Sequence, residues 1–383
     1  MPIDRPWLEE TLTGLVRIDS VNPALVPGAP GEREISGYIA ERLTGFLADV
    51  RRFEPEPGRV SVLGRLAGTG GGRSLMLNAH SDTVGVEGMP EPFSAAVRDG
   101  KLYGRGAYDM KGSLAASMAA VKALADARTE LRGDVMVAAV ADEEYGSLGT
   151  ADLIHHVKPD AAIVTEPTSL RVCLAHKGYL WIEVETVGRA AHGSRFDQGI
   201  DANVRMGRFL CGLDRLEQSL RARTPHPLVG PPSLHAAMIS GGTGLSTYAA
   251  SAKLQIERRT IPGESEAQVV AELQAIVDHL KAEDPSFQAS VRPYFIRQPF
   301  EVLSEAKIVK TVARSVERLL GRPAQFMGDT PWMDSALLAQ AGVETVVIGP
   351  HGAGAHADEE WVDLESVAQL AEILASAAMD YCA

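Results

Sequence analysis

Short apolar runs alternate with polar and glycine-rich segments along the chain, and several of these runs have the character of buried strands. Runs of about four to eight apolar, β-branched residues bounded by turns are typical of parallel sheets covered on both faces. They lie at Leu75–Ala79, Val135–Val140, Ala161–Thr165 and Val346–Ile348. Together with Ser113–Ala125, whose Ala, Leu and Met content predicts a helix, they indicate an α/β domain with a doubly wound, mostly parallel sheet.

A different periodicity begins near Gly178. From 180 to 186 apolar and polar residues alternate, as expected for a strand with one exposed face. Further strands are predicted near 233–239, 253–259 and 287–294, with helices at 201–221 and 264–281. Two strand–helix–strand halves predict an inserted α+β sandwich. We therefore expect a discontinuous catalytic domain, 1–176 and 295–383, and an inserted domain, 177–294.

Charge and composition narrow the class of protein. The 383 residues are 45% apolar, enough for two domains with ample cores, and the net charge is −13. An acidic chain without a basic cluster is not expected to bind nucleic acid or anionic membranes. No apolar run of about 18 residues, as a membrane-spanning helix would need, is present. The first residues lack the charged segment followed by an apolar segment that is typical of a signal peptide. Three cysteines without a pairing motif favour the reducing cytoplasm.

Histidines and carboxylates follow the predicted strands, where ligands bind in parallel sheets. His80 and Asp82 follow the first run, Asp142–Glu144 the second, Glu166 the third and His356 the fourth. Imidazole and carboxylate together suit zinc, with cobalt or manganese as alternatives. An isolated His-x-Asp pair would equally be a solvated loop, but the other strand ends favour one metal site.

Two further segments carry candidate chemistry. Asp109 lies in the glycine-rich segment Gly104–Gly112 before the predicted helix, where it would either bridge two cations or cap that helix. Glu143 and Glu144 follow a buried run, and adjacent side chains diverge. One of them can therefore bind metal while the other accepts a proton from water activated by that metal.

These motifs resemble, across the whole chain and in order, the co-catalytic zinc aminoacylase/carboxypeptidase family. The matching segments are His80-Ser81-Asp82, Gly104–Gly112, Asp142-Glu143-Glu144, Thr165-Glu166-Pro167 and the late His356. The family includes acetylornithine deacetylase, succinyl-diaminopimelate desuccinylase, aminoacylase and glutamate carboxypeptidase. The resemblance implies two divalent metal ions, most commonly zinc.

The resemblance also implies a role for each matched residue. His80 and Glu166 would bind one zinc, Glu144 and His356 the other, and Asp109 would bridge them. Glu143 would be the general base, and Asp82 would support His80 from behind. His351 is an alternative to His356, although the Ala355-His356 pair before an acidic stretch matches the family better. The acids at 358–360 are expected to cap the last helix or to lie on the surface.

For the inserted domain the resemblance implies a lid that also forms a homodimer. His192 would reach the partner's site and stabilise the oxyanion, and Arg259 would bind the substrate carboxylate, with Arg258 as the alternative. The Gly-rich tract 239–244 would line the substrate or form a plain loop, and Trp332 would line the pocket or the core.

The predicted function is metal-dependent hydrolysis of the amide bond of an N-acyl amino acid, as in deacetylases and desuccinylases. A carboxypeptidase or dipeptidase of the same family is the main alternative, so a short peptide is the other candidate substrate. A non-catalytic binding relative is remote, because every expected ligand and the base are present. A nucleotide-dependent oxidoreductase is disfavoured, since the segment 64–72 lacks the required glycine spacing after a strand.

Overall fold

The computed structural model of the chain describes residues 2–383, which form two compact units. The first contains the residues up to Leu174, Val302–Met327 and Met333–Ala383. The second contains Ala175–Glu301 and Gly328–Trp332. Across residues 2–383, no helix combines the length and the apolar character needed to cross a membrane.

The described residues form the following elements in chain order. The strands are β1 (Asp49–Glu56), β2 (Arg59–Leu66), β3 (Leu75–His80), β4 (Ala96–Arg98), β5 (Lys101–Tyr103), β6 (Val135–Val140), β7 (Ala161–Val164), β8 (Val172–His176), β9 (Gly178–Val187), β10 (Ser233–Gly241), β11 (Ser251–Thr260), β12 (Ala289–Arg297), β13 (Phe300–Glu301), β14 (Phe326–Asp329), β15 (Glu344–Val347), β16 (Gly352–Ala353) and β17 (Trp361–Asp363). The helices are α1 (Arg5–Arg17), α2 (Arg33–Thr44), α3 (Gly112–Asp126), α4 (Leu148–His156), α5 (Ala202–Arg221), α6 (Glu266–Glu283), α7 (Lys307–Leu320), α8 (Ser335–Gln340) and α9 (Leu364–Tyr381). A short segment, Ala107–Lys111, precedes α3 and is called the π-helical turn below, although the backbone angles of Asp109 and Met110 within it are not helical.

The large sheet of the first unit is mixed, and its parallel pairing is confined to the centre. Its strand order is β1-β2-β6-β3-β7-β15-β8. The pairs β6/β3, β3/β7 and β7/β15 are parallel, whereas β1/β2, β2/β6 and β15/β8 are antiparallel. The α/β class is confirmed, and the four parallel strands are those that the apolar runs predict. The antiparallel edges make the sheet less uniformly parallel than expected.

Strand order also determines on which face each helix lies. The crossover β3–α3–β6 steps in one direction along the sheet, and β6–α4–β7 steps in the other. Because such crossovers are right-handed, opposite steps put α3 and α4 on opposite faces. Helix α3 packs against α1 and α9, and α4 packs against α8. Both faces are therefore covered, and every residue of β3 and β6 is buried.

The second unit is an antiparallel sheet with helices packed against it. Its strand order is β10-β11-β9-β12, with α5 against β9, β10 and β11, and α6 against α5 and β12. Burial alternates along β9, as the period of two predicts. Leu180, Ile182 and Val184 of β9 belong to one hydrophobic cluster with Phe209 of α5 and Leu273 of α6. This cluster is the core of the second unit.

Shortening Phe209 to alanine tests that core. Its side chain is completely buried, so Phe209→Ala leaves a cavity and is expected to lower the free energy of unfolding by about 3–5 kcal/mol. Val204→Ala on the same helix is the control, because Val204 is 62% exposed. Urea unfolding measures both changes. Equal stabilities of the two variants would contradict this assignment of the core.

Candidate two-metal site

Three of the five candidate ligands lie at one edge of the large sheet because parallel strands end on the same side, and a turn and a loop supply the other two. His80 is the last residue of β3, and Glu166 lies two residues beyond the end of β7, its neighbour in the sheet. Glu144 follows β6, on the other side of β3. Asp109 belongs to the π-helical turn, and His356 to the loop after β16. The structure thus brings together all five residues predicted as ligands.

The first group of possible ligands consists of His80, Asp109 and Glu166. Their ligand atoms lie within 4.8 Å of one another. His80 Nε2 is 3.1 Å from Asp109 Oδ1 and 3.7 Å from Glu166 Oε1. The other ring nitrogen, Nδ1, lies 3.0 Å from the Asp82 carbonyl, which can only accept a hydrogen bond. Nδ1 therefore carries the proton and donates it, leaving Nε2 to face the carboxylates.

The second group consists of Asp109, Glu144 and His356, whose ligand atoms also lie within 4.8 Å of one another. His356 Nε2 is 3.1 Å from Glu144 Oε2 and 3.5 Å from Asp109 Oδ2. Asp109 thus presents one carboxylate oxygen to each group. The alternative histidine, His351, instead contacts Ser169 and packs against the ring of Trp361.

Electrostatics at the site follow from burial and from the concentration of acids. Burial and the neighbouring Glu166 raise the pKa of Glu143 well above its usual range. Burial likewise raises the pKa of Glu166 well above its ordinary value, although His80 opposes the shift. Hydrogen bonds with Asp109 and Glu144 raise the pKa of His356 to about 10. Ionised carboxylates so close together are costly unless cations compensate their charge.

The donor set fits two divalent cations. Each group offers one imidazole nitrogen and carboxylate oxygens, a set that suits zinc or other first-row metals. In the described chain, neither group includes Glu143, although Glu143 is adjacent to the ligand candidate Glu144. The arrangement can therefore hold two metals that share Asp109 and leave one carboxylate free to move protons.

Asp82 supports the site mainly by holding the turn that carries the two glutamates. Its carboxylate accepts hydrogen bonds from the backbone N–H groups of Glu143 at 3.1 Å and Glu144 at 3.2 Å. Asn22 donates to the same carboxylate at 2.8 Å. The Asp82 carboxylate lies 3.6 Å from Nδ1 of His80, whereas the backbone carbonyl of Asp82 lies 3.0 Å from the same nitrogen. The side chain thus positions the glutamate turn, and the backbone orients the imidazole.

A buried arginine lies behind this turn, and sequence reasoning did not identify it. The Arg59 guanidinium donates to both carboxylate oxygens of Glu32, at 2.6 and 2.9 Å, and lies 2.8 Å from Asp142. It also donates to Asn22, which joins this network to Asp82. Burial, followed by repulsion from Asp82, raises the pKa of Glu32 to about 7 despite the guanidinium. No local pattern marks Arg59, because its partners are distant in sequence.

Glu360 differs from the expectation for the acids at 358–360. It is 2% exposed, and its carboxylate accepts hydrogen bonds from Arg105 and from the backbone of the π-helical turn. Asp358 and Glu359 are exposed, as expected. The expectation of a capping or surface role is therefore wrong for Glu360, because the turn 107–111 supplies donors that the sequence does not place nearby.

The second unit contains the remaining candidates. His192 is exposed and its Nδ1 lies 2.9 Å from Ser194 Oγ. Arg258 is 1% exposed and donates to Glu264 at 2.6 Å, so it has no free face for a substrate. Arg259 is partly exposed, donates to Glu257 at 2.6 Å and stacks over the ring of Tyr179.

Trp332, the other aromatic candidate, is only 9% exposed in the second unit. Its indole N–H donates to the Gln298 carbonyl at 3.0 Å. Its ring is surrounded by His176, Tyr179 and Arg297. These contacts are those of a core residue of that unit.

The first unit is a doubly wound α/β fold with two histidine–carboxylate groups that share one aspartate. This combination is typical of a two-metal hydrolase. Comparison with known families agrees with this class. The chain belongs to Peptidase family M20/M25/M40, whose sequence model matches residues 76–380.

Its similar relatives include proteins named as a deacetylase and a deformylase. Acetylornithine deacetylase of Myxococcus xanthus is 30% identical, with 98% of each chain covered. N-formyl-4-amino-5-aminomethyl-2-methylpyrimidine deformylase of Bacillus subtilis is 28% identical over 91% of this chain and 88% of that protein.

Similar solved structures include the aminopeptidase PepT of Bacillus cereus. Its TM-score is 0.79, at 17% identity and with both chains fully covered. A Bacillus subtilis protein described as a dinuclear metal-binding peptidase of the M20 family has a TM-score of 0.74. It is 16% identical, with 99% of this chain and 98% of that chain covered. At such identities the likeness concerns the fold, and it confirms the two-part α/β architecture.

Replacing Arg59 tests the buried network. Arg59→Met leaves the buried carboxylates of Glu32 and Asp142 without their guanidinium, and we expect a loss of about 3–5 kcal/mol in the free energy of unfolding. Arg52→Met is the matched control on an exposed arginine, with an expected change below about 0.5 kcal/mol. Chemical denaturation followed by circular dichroism measures both. An Arg59→Met protein as stable as the control would show that the network contributes nothing.

Proposed function

We propose that the protein hydrolyses the amide bond of an N-acyl amino acid, as a deacetylase or desuccinylase does, with two divalent metal ions, most commonly zinc. The observation that carries the proposal is the pair of ligand groups that share Asp109, beside a half-buried carboxylate, Glu143, that belongs to neither. His80 and Glu166 would hold one ion, and Glu144 and His356 the other.

Each residue of the site has a defined task in this reaction. When bound, the metal ions supply Lewis acidity that polarises the amide carbonyl and lowers the pKa of water. Glu143 takes the proton of the attacking water on its carboxylate and delivers it to the nitrogen of the leaving amine. Asp82 keeps the Glu143–Glu144 turn in place through its two backbone hydrogen bonds. The products are a carboxylic acid and an amino acid.

The relatives support an N-acyl substrate rather than a peptide. The curated relatives at 28–30% identity include proteins named acetylornithine deacetylase and a deformylase, all names of enzymes that remove a small acyl group. The peptidases among the solved structures are 16–18% identical, so they support the shared fold and not the substrate. Dipeptides are the second candidate class and belong in the same assay.

We propose the second unit, centred on 177–294, as a lid and dimerisation domain. His192 would stabilise the oxyanion in a partner's site, and Arg259, with its partly exposed guanidinium, would bind the substrate carboxylate. Sedimentation would test the homodimer. The cysteines contribute to the proposed cytoplasmic location, because none is in a disulfide.

An amine-release assay on metal-stripped protein tests the function. A panel of N-acetyl, N-succinyl and N-formyl amino acids and dipeptides is offered before and after zinc is restored. We expect no hydrolysis without metal and restored hydrolysis of one acyl class with zinc, because both ligand groups need cations to act. Hydrolysis that survives complete metal removal would contradict the proposed chemistry. Zinc-dependent cleavage of dipeptides alone would favour the peptidase alternative.

Replacing the proposed base separates chemistry from metal binding. Glu143→Gln keeps the size of the side chain but cannot accept the proton, so hydrolysis is expected to fall by about 10²–10⁴-fold. Metal content, measured by plasma emission, is expected to stay at the wild-type level because Glu143 belongs to neither ligand group. Glu130→Gln, an exposed acid, is the control. Turnover near the wild-type rate would rule out Glu143 as general base.

A further inference from the structure

Glu360 receives an unusual number of hydrogen bonds for a side chain that the proposed chemistry does not use. Its Oε2 accepts from Arg105 Nη1 at 2.8 Å and from the Gly106 N–H at 3.0 Å. Its Oε1 accepts from the N–H groups of Tyr108 at 2.9 Å and Asp109 at 3.0 Å. Both oxygens are therefore fully engaged inside the protein, where the side chain is 1% exposed.

The donors form the turn that presents Asp109 to both ligand groups. Gly106 has φ +80°, and a Cβ there would collide with the side chains of Thr83 and Lys111, so the backbone at this point requires glycine. Such a turn directs several N–H groups toward one point. A carboxylate at that point satisfies them, and charge-assisted bonds of this kind are about twice as strong as neutral ones.

Glu360 also lies four residues after His356, so it connects two loops that are far apart in sequence. Arg105 reinforces the connection, because its guanidinium donates to the Ala357 carbonyl at 3.0 Å in addition to Glu360. The Gly104 N–H donates to the Glu360 carbonyl at 3.0 Å. The loop that carries His356 and the turn that carries Asp109 are thus held together by contacts that involve none of the facing ligand atoms.

We propose that Glu360 is a positioning residue that fixes the Asp109 turn against the His356 loop and so preorganises the second ligand group for its cation. This inference rests on the proposed two-metal function. His356 is 55% exposed and its own backbone has φ +61°, a conformation rare outside glycine, so its loop depends on other contacts for a fixed position. Glu360 supplies the contact to the element that carries the other ligand.

The test is Glu360→Gln, compared with Glu359→Gln at the exposed neighbouring position. A glutamine offers one oxygen, so in either amide orientation one pair of donors faces an NH₂ group instead of an acceptor. Cobalt titrated into metal-free protein is expected to bind the second site about tenfold or more weakly, with a smaller effect on the first. The control is expected to bind two cobalt ions as the wild type does.

A second readout does not depend on metal or on activity. In metal-free Glu360→Gln, hydrogen exchange of the peptide containing 106–111 is expected to be faster than in wild type and in Glu359→Gln, because in either amide orientation at least one backbone N–H group of this segment loses its acceptor. Glu360→Asp keeps the charge but shortens the side chain, so we expect intermediate exchange and intermediate cobalt affinity. This variant provides the test if Glu360→Gln does not fold.

Two results would overturn the positioning role. One is a Glu360→Gln or Glu360→Asp protein that binds both cobalt ions with wild-type affinity. The other is unchanged exchange of the turn in both variants. A wild-type protein that binds fewer than two cobalt ions would instead contradict the proposed function, and the exchange comparison would then decide the role of Glu360 by itself.

Discussion

The candidate two-metal site is constrained above all by the negative charge of several carboxylates that are largely shielded from solvent. Asp109, Glu143, Glu144 and Glu166 lie around one imidazole, that of His80. Burial, and after it the proximity of the other acids, raises the pKa of Glu143 and Glu166 well above the ordinary range. Such a cluster is compatible with a stable fold only where cations, imidazoles and N–H donors compensate it. The surrounding elements can be understood as the source of that compensation, and two bound cations would complete it.

Supporting carboxylates have a common design in the first unit. Asp82 accepts hydrogen bonds from backbone N–H groups of the turn that carries the two glutamates. Glu360 accepts hydrogen bonds from backbone N–H groups of the turn that carries Asp109. Each is itself bound by a buried polar side chain, Asn22 in one case and Arg105 in the other. In both cases a buried carboxylate binds the backbone of a loop that carries candidate ligands, an arrangement that can fix the loop without occupying the candidate ligand atoms.

The residues proposed for the hydrolytic chemistry and those proposed for substrate recognition lie in different units of the chain. Every residue of the proposed metal chemistry belongs to the first unit. His80, Glu144 and Glu166 lie at or just after the ends of strands of its large sheet, whereas Asp109 and His356 lie in a turn and a loop. The candidates for substrate recognition belong to the second unit, Arg259 on strand β11 and His192 in the loop between β9 and α5. We thus assign the hydrolytic chemistry to one unit and the contact with the substrate carboxylate to the other.

The sequence by itself determined the four parallel strands, the candidate ligands and the general base candidate. Buried parallel strands leave continuous apolar runs, and His80, Glu144 and Glu166 follow them at short range along the chain. The bridging role of Asp109 and the choice of Glu143 over Glu144 as the base came from the family resemblance. Only the tertiary structure decided which oxygen of Asp109 faces which group, that the sheet is antiparallel at its edges, and that Arg59 and Glu360 are buried beside the site. The physical reason is that both side chains find their partners far away in sequence. A charged residue with a distant partner has the same local pattern as one exposed to water.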